Sequence, residues 1–374
     1  MDIKQYPFYI KSTVILFGLV LLSYTLINLK DILSPLAFAS VIAILLNPLV
    51  NKLHKKVPRI LAIITVLLLT IVAVGTILFF LSSQIARFSE TFPLLVKKFD
   101  QIVQHLQQWL LNDFGVTAQK QVQFFREALN GGKAALGKTL GSALGTLALI
   151  LLVPVYVFLF LFYKSLILCF LYDVFSDEYS EKVREVLNQT KTAIQSYMVG
   201  LLLEAFIVAI LNSTALLLLD VDYAILLGVI GALLNMLPYI GGLIAITLPV
   251  LIATVTKDGY STQIGVIIAY LIIQFIDNNI LVPRIVSSKV QINALFSILV
   301  VLLGGALWGV AGMFLSIPFV AILKIIFDRI DELKPWGKLL GDEVPTRHPG
   351  RLFRRKKNKE KNSVSEDIVK KANS

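Results

Sequence analysis

The sequence predicts an all-α polytopic membrane protein with about six full transmembrane helices and two re-entrant helical hairpins, or eight spans, plus a small extracytoplasmic helical insert. Three observations predict it. Hydrophobic residues make up 56% of the 374-residue chain and charged residues only 16%, with a mean hydropathy of +0.78, outside the range of soluble domains. Charge-poor segments that can supply the roughly 20 residues of a bilayer-crossing helix recur at 12–29, 32–50, 60–83, 139–163, 197–219 and 262–283. Two further apolar runs, 223–256 and 290–323, are each 34 residues long and carry helix-breaking residues at their centres.

Residues 1–83 hold the first three spans. The first ends in Lys30-Asp31 rather than in a small-residue cleavage site, so it reads as a retained helix. The loop NKLHKKVPR at 51–59 carries Lys52, Lys55, Lys56 and Arg59 with no acid, so it faces the cytoplasm and the N-terminus lies inside. Residues 84–138 then fall outside. Their apolar residues Phe88, Phe92, Leu95, Phe99, Ile102, Leu106 and Trp109 recur three or four apart, the period of a helix. Residues 139–219 add two spans around a cytoplasmic interfacial helix at 164–196, where Leu166, Phe170, Val183 and Leu187 alternate with charges. The acidic link Asp220-Val221-Asp222 falls outside. Residues 220–330 form a core of hairpin 223–256, helix 262–283 and hairpin 290–330. The remainder, 331–374, is a basic cytoplasmic tail expected to be disordered, with the run RLFRRKKNKEK at 351–361.

A straight helix of 34 residues would reach about 51 Å against a hydrocarbon core of about 30 Å. Neither long run can be one upright span. The first has its midpoint in Pro-Tyr-Ile-Gly-Gly at 238–242 and the second in GGALWG at 304–309. Each is either a bent span or a hairpin that enters and leaves on one side. Arg284 and Lys289 in the intervening link favour hairpins, because that arrangement keeps them cytoplasmic. The first hairpin then opens outward and the second inward, with tips meeting near the bilayer middle. Broken helices in that position offer free amides, carbonyls and helix ends to a solute. The plainer alternative is that the glycines only let helices pack closely.

Glu204 and Asp277 are the acids within apolar segments, and intramembrane carboxylates suggest proton or cation coupling. Gln274, Asp277 and Asn278 share roughly one helical face, with Asn279 adjacent. Asp277 can equally be near-interfacial or paired with Arg284. Asn212, Asn235 and Gln195 read as structural groups that cap or cross-link helices.

Enzyme chemistry finds no support, since His54, His105 and His348 lie in loops or the tail and no HExxH, GxSxG or P-loop pattern occurs. One cysteine, Cys169, excludes an intrachain disulfide, and no Cys/His spacing suggests a metal site. No cofactor is expected. The net charge of +11 sits in membrane-flanking loops and the tail, which argues for topology and lipid headgroups rather than nucleic acid.

NMLPYIGGLIAITLPV, QFIDNNILVPRIVSSKVQINAL and VVLLGGALWGVAGMFLSIPFVAILK together resemble the C-terminal signature of the autoinducer-2 exporter family, the PerM-like permeases. The resemblance extends more loosely over about residues 10–330. It implies a multi-pass transporter of the bacterial inner membrane, a homo-pentamer, two hairpins around a solute site and an elevator-like movement. By motif, Pro238, Tyr239, Gly241 and Gly242 form one tip, and Gly304, Gly305, Gly309 and Gly312 the other. Asp277, Asn279, Pro283 and Arg284 match the motif on the intervening helix. Family members often carry Gly-Pro where this chain has Gly241-Gly242, which leaves the turn more flexible here.

The leading functional reading is export of a small polar solute, autoinducer-2 being the candidate that the family implies. A sodium (or lithium)/proton antiporter using Asp277 and Glu204 is the alternative, and a non-transporting membrane scaffold is a third.

Overall fold

The computed structural model describes residues 7–114, 143–175, 179–236, 241–257, 259–286 and 292–342, and all regular structure among them is helical. The order is α1 (Phe8–Asn28), α2 (Lys30–His54), α3 (Arg59–Phe114), α4 (Ala143–Phe162), α5 (Lys164–Val174), α6 (Ser180–Leu218), α7 (Ala224–Asn235), α8 (Gly241–Thr256), α9 (Ser261–Ile276), α10 (Ala294–Trp308), α11 (Val310–Arg329) and α12 (Lys334–Leu340). From Asp277 to Val286, α9 continues as a wider π-helix.

Five helices are long and apolar enough to cross a bilayer: α2, α3 as far as Phe88, α6, α9 with its extension to Ile285, and α11. The pair α4 and α5, bent by 62°, makes a sixth if it is one broken span. The apolar part of α1, Ser12–Asn28, is shorter. Exposed Leu, Ile, Val and Phe side chains line α1 and the first half of α3, as expected of surfaces solvated by lipid.

Three apolar clusters organise the bundle. Ala39, Ala43, Leu46 and Val50 of α2 pack with Ala62, Ile63 and Val66 of α3 and with Val157 and Leu161 of α4. Val41 of α2 joins Ile194, Met198 and Leu201 of α6 to Val301 of α10 and Leu315 of α11. Leu216 of α6, Leu227 of α7, Ala245 and Ile252 of α8, and Val266 and Tyr270 of α9 form the third. Polar ties reinforce the first and second clusters at one end of the molecule. Arg59 donates to the carbonyl of Leu161 at 2.7 Å, Lys164 to Asn47 Oδ1 at 3.2 Å, and Gln195 to the carbonyl of Ile44 at 2.7 Å. Gln195 is thus a cross-link between α6 and α2, as its structural reading has it. These residues lie beside the 51–59 loop and define the basic end.

Both long apolar runs reverse direction. A Cβ built on Gly231 of α7 would lie 3.5 Å from that of Ala245 in α8, so the chain folds back between them. Lys257, after α8, bonds Asp220, before α7, at 2.6 Å, so this hairpin is open at the Asp220 end. Its closed end contains Pro238 and Tyr239, which lie outside the described residues. The second hairpin turns at Gly309, whose φ of 61° is a conformation that favours glycine. It opens in the opposite direction, toward the basic end. There Asn293 caps α10 by accepting from Phe296 N at 3.0 Å, while its Nδ2 donates to the carbonyls of Leu339 at 2.7 Å and Gly341 at 3.0 Å. Asn293→Ala should therefore cost about 1–2 kcal/mol, read as a lowered thermal midpoint.

The structure departs from the expected boundaries in four places. The helix that begins at Arg59 does not stop at residue 84 to start a separate insert but runs on to Phe114, because the same three-and-four apolar spacing serves a continuing helix. The rest of the insert, 115–138, lies outside the described residues. The interfacial segment after residue 180 and the span 197–219 are one helix of 39 residues, roughly 58 Å long. The second hairpin is unequal: α10 has 15 residues, whereas α11 has 20 and is long enough to cross. Finally, the expected disordered tail starts with structure, since α12 packs on α11 and is held by the Asn293 bonds. Residues 343–374 lie outside the described set.

Candidate functional site

Glu204 sits in the apolar part of α6, which presents a buried stripe of Tyr197, Met198, Leu201, Glu204, Val208 and Asn212. Asp277 stands where α9 changes from α to π winding. Pro283 lacks the N–H that α geometry would direct at the carbonyl of Asn279, so the π stretch contains the residue that cannot continue the regular ladder. Both acids are buried, at 5% and 2% exposure, which is costly for a carboxylate without partners.

The two acids meet. Glu204 and Asp277 come within side-chain hydrogen-bonding reach of each other. Asp277 Oδ2 accepts from Asn235 Nδ2 at 2.8 Å. No Lys or Arg forms an ion pair with either acid among the described residues. Two buried carboxylates this close repel, so the pair either holds a proton or takes up a cation.

The first hairpin completes the site. Asn235 is the last residue of α7, so the break that ends the helix also delivers the amide that holds Asp277. On the returning arm, Gly241 lies against the backbone of Leu234 and Asn235, where even a methyl would collide with the Leu234 carbonyl. A methyl on Gly242 would meet Gln274 Oε1. Gln274 in turn donates to Asn278 Oδ1 at 3.3 Å, with a longer contact to Asp277 Oδ2 at 3.5 Å. The glycines thus let the tip approach α9 closely enough for backbone, amides and carboxyls to share one polar layer.

The remaining residues of interest fall elsewhere. Asn279 is exposed and donates to the carbonyl of Phe275 at 2.8 Å. Arg284 does not pair with Asp277 but lies in a groove with Leu45, Gln195, Gly200 and Leu203 near the basic end. Gly304, Gly305 and Gly312 are at the α10–α11 contact, where a Cβ on Gly304 would come 2.5 Å from the Gly312 carbonyl oxygen and one on Gly305 would come 2.8 Å from Met313. They serve close helix approach in this conformation. The second tip is anchored instead by Trp308 Nε1, which donates to the carbonyl of Leu26 at 2.9 Å. Met236, which follows α7, packs against the cluster that includes Ile194, Val301 and Leu315.

Asn235 is the site residue that sequence reasoning assigned to structure alone. Its position three residues before Pro238, at the very end of a short apolar helix, is the signal that marks it.

Comparison with known proteins relates the chain to transport proteins. YueF of Bacillus subtilis, provisionally named a transport protein, is 24% identical over 330 residues, covering 82% of this chain and 86% of that protein. The AI-2 transport protein TqsA of Escherichia coli is 27% identical over 319 residues, 83% of this chain and 90% of that one. A transport protein of Haemophilus influenzae, also provisionally named, is 33% identical over a shorter stretch of 122 residues, 33% and 35% of the two chains. The model of the AI-2E family transporters matches residues 13–332. With that match spanning most of the sequence, and with apolar helices long enough to cross a bilayer several times, the chain belongs to the AI-2E family and is a multi-pass membrane transporter.

Proposed function

We propose that the chain is a secondary transporter that exports a small polar solute through the layer formed by Glu204, Asn235, Gly241, Gly242, Gln274 and Asp277, with autoinducer-2 as the candidate. The observation that carries this reading is the convergence of two buried acids, two amides and glycine backbone at the closed end of a hairpin. Amides and free backbone suit a hydroxylated solute, and the acid pair supplies a place for a coupling ion. The candidate solute comes from the name of the relative TqsA. Pro238 and Tyr239 would complete the tip by motif. In this reading Gly304, Gly305, Gly309 and Gly312 shape the second hairpin, Pro283 sets the winding after Asp277, and Arg284 and Asn279 flank the site.

The acid pair favours one second reading, sodium (or lithium)/proton antiport, in which Glu204 and Asp277 exchange a proton for a cation. The orientation that fits the charges puts the basic end and both termini in the cytoplasm of a bacterium, with the chain in its inner membrane. The exposed apolar faces of α1 and α3 then meet lipid or sister copies in a homo-oligomer, a pentamer on the family resemblance.

Proteoliposomes containing the purified chain test both readings. Export predicts autoinducer-2 movement that responds to an imposed pH gradient and ignores sodium. Sodium-dependent proton movement without autoinducer-2 flux would replace export by antiport.

A further inference from the structure

Three helices meet beside the acid pair, and their buried faces alternate polar and apolar in register. α6 packs against both α7 and α9. The first layer is Glu204, Asn235, Gln274 and Asp277. One helical turn toward the Asp220 end comes an apolar layer of Val208, Ala232 and Ile273, which pack together. Asn212 and Tyr270 follow four and three residues further along α6 and α9, where they flank Gly231, the neighbour of Ala232.

This third layer has unmet hydrogen-bonding demand. Asn212 is 2% exposed and Tyr270 6%, yet among the described residues Asn212 Oδ1 and the Tyr270 hydroxyl have no partner. Both flank the bare backbone of Gly231: a Cβ there would lie 3.2 Å from Asn212 Nδ2 and 3.5 Å from the Tyr270 oxygen. Buried polar groups without partners are rare in native proteins, and those that face a shared polar space generally hold water. A water donating to Asn212 Oδ1 and accepting from the Tyr270 hydroxyl satisfies both.

We propose that Asn212, Gly231 and Tyr270 form a buried water site, separated from the Glu204–Asp277 pair by the single apolar layer of Val208, Ala232 and Ile273. Its water is a relay for protons moving between the acid pair and the Asp220 end. The apolar layer keeps the two polar sites disconnected until the helices shift, as hydrophobic constrictions do when they exclude water. The water site stands on the geometry, whereas the relay role rests on the ion-coupled transport reading.

X-ray hydroxyl-radical footprinting of the purified full chain, read by mass spectrometry, tests the site without requiring any activity. Radicals born from a held water oxidise the adjacent side chain, so Tyr270 should label rapidly although it is buried. Gly231→Ala, which puts a methyl into the space, should slow that labelling several-fold at an unchanged thermal midpoint. Asn212→Leu provides a second variant that removes the acceptor and should do the same. Equal Tyr270 labelling in the wild type and in a folded variant overturns the water site. For the relay, Tyr270→Phe should slow proton movement in proteoliposomes several-fold, and an unchanged rate overturns it. A wild type that moves no protons overturns the coupling reading and the relay with it, while the footprint still decides the water site.

Discussion

Asp277→Asn should reduce ion-coupled transport to the level of protein-free liposomes while leaving the protein folded. The carboxyl of Asp277 is the acceptor for Asn235 and the neighbour of Glu204. An asparagine of the same shape keeps an oxygen for Asn235 and offers an amide to Glu204, so hydrogen bonding survives. What disappears is the group that can alternate between a proton and a cation. Removing one of two adjacent buried acids also relieves their repulsion, so the thermal midpoint should stay level or rise. Glu204→Gln should behave in the same way. Loss of stability together with loss of transport would mark these acids as structural. Full ion-coupled flux in a folded Asp277→Asn protein would remove the pair from the mechanism.

Gly312→Leu should have the largest effect on folding. The space that its side chain would enter is taken by the carbonyl of Gly304 on the facing arm, and Gly304 faces the Gly312 carbonyl in return. Backbone cannot move aside as a flexible side chain can, so α10 and α11 must separate. The cost should be about 3 kcal/mol or more, seen as a lost cooperative melt or a collapsed yield. Gly18→Ala is the contrast. A methyl there meets nothing within 4 Å in α1, so it should change stability by no more than about 1 kcal/mol, in the favourable direction. If both substitutions are equally mild, the close approach in the second hairpin is not required for folding.

Parts of this arrangement are readable in the residue order and parts are not, for physical reasons. Breaks by proline and glycine in two equally long apolar runs are local events, so the reversals between α7 and α8 and at Gly309 are legible. Whether an amphipathic period continues a helix or begins a new one is not a local property. The run from Arg59 to Phe114 and the unbroken α6 were therefore hidden. Glu204 and Asp277 stand out singly because acids are expensive in apolar segments. Their meeting depends on how α6 crosses α9, which no spacing encodes. Asn279, two residues past Asp277, falls on the opposite side of the helix and is exposed. Asn235 reads from the sequence as a cap or a helix cross-link, because either role suits an asparagine at a helix end whatever lies across from it.

The continuity of α6 has a mechanical consequence. Its water-exposed third is joined to α11 by Glu185 and Arg329 at 2.5 Å, its next third to α2 by Gln195, and its far end to the first hairpin, where a Cβ on Gly228 would come 2.6 Å from Ser213 N. A member pinned in three places with no proline or break between them cannot serve as a hinge. α6 is therefore a fixed member of the bundle, and any change of shape during transport would fall to the interrupted pieces packed on it, the α7–α8 hairpin and the π-wound stretch after Asp277.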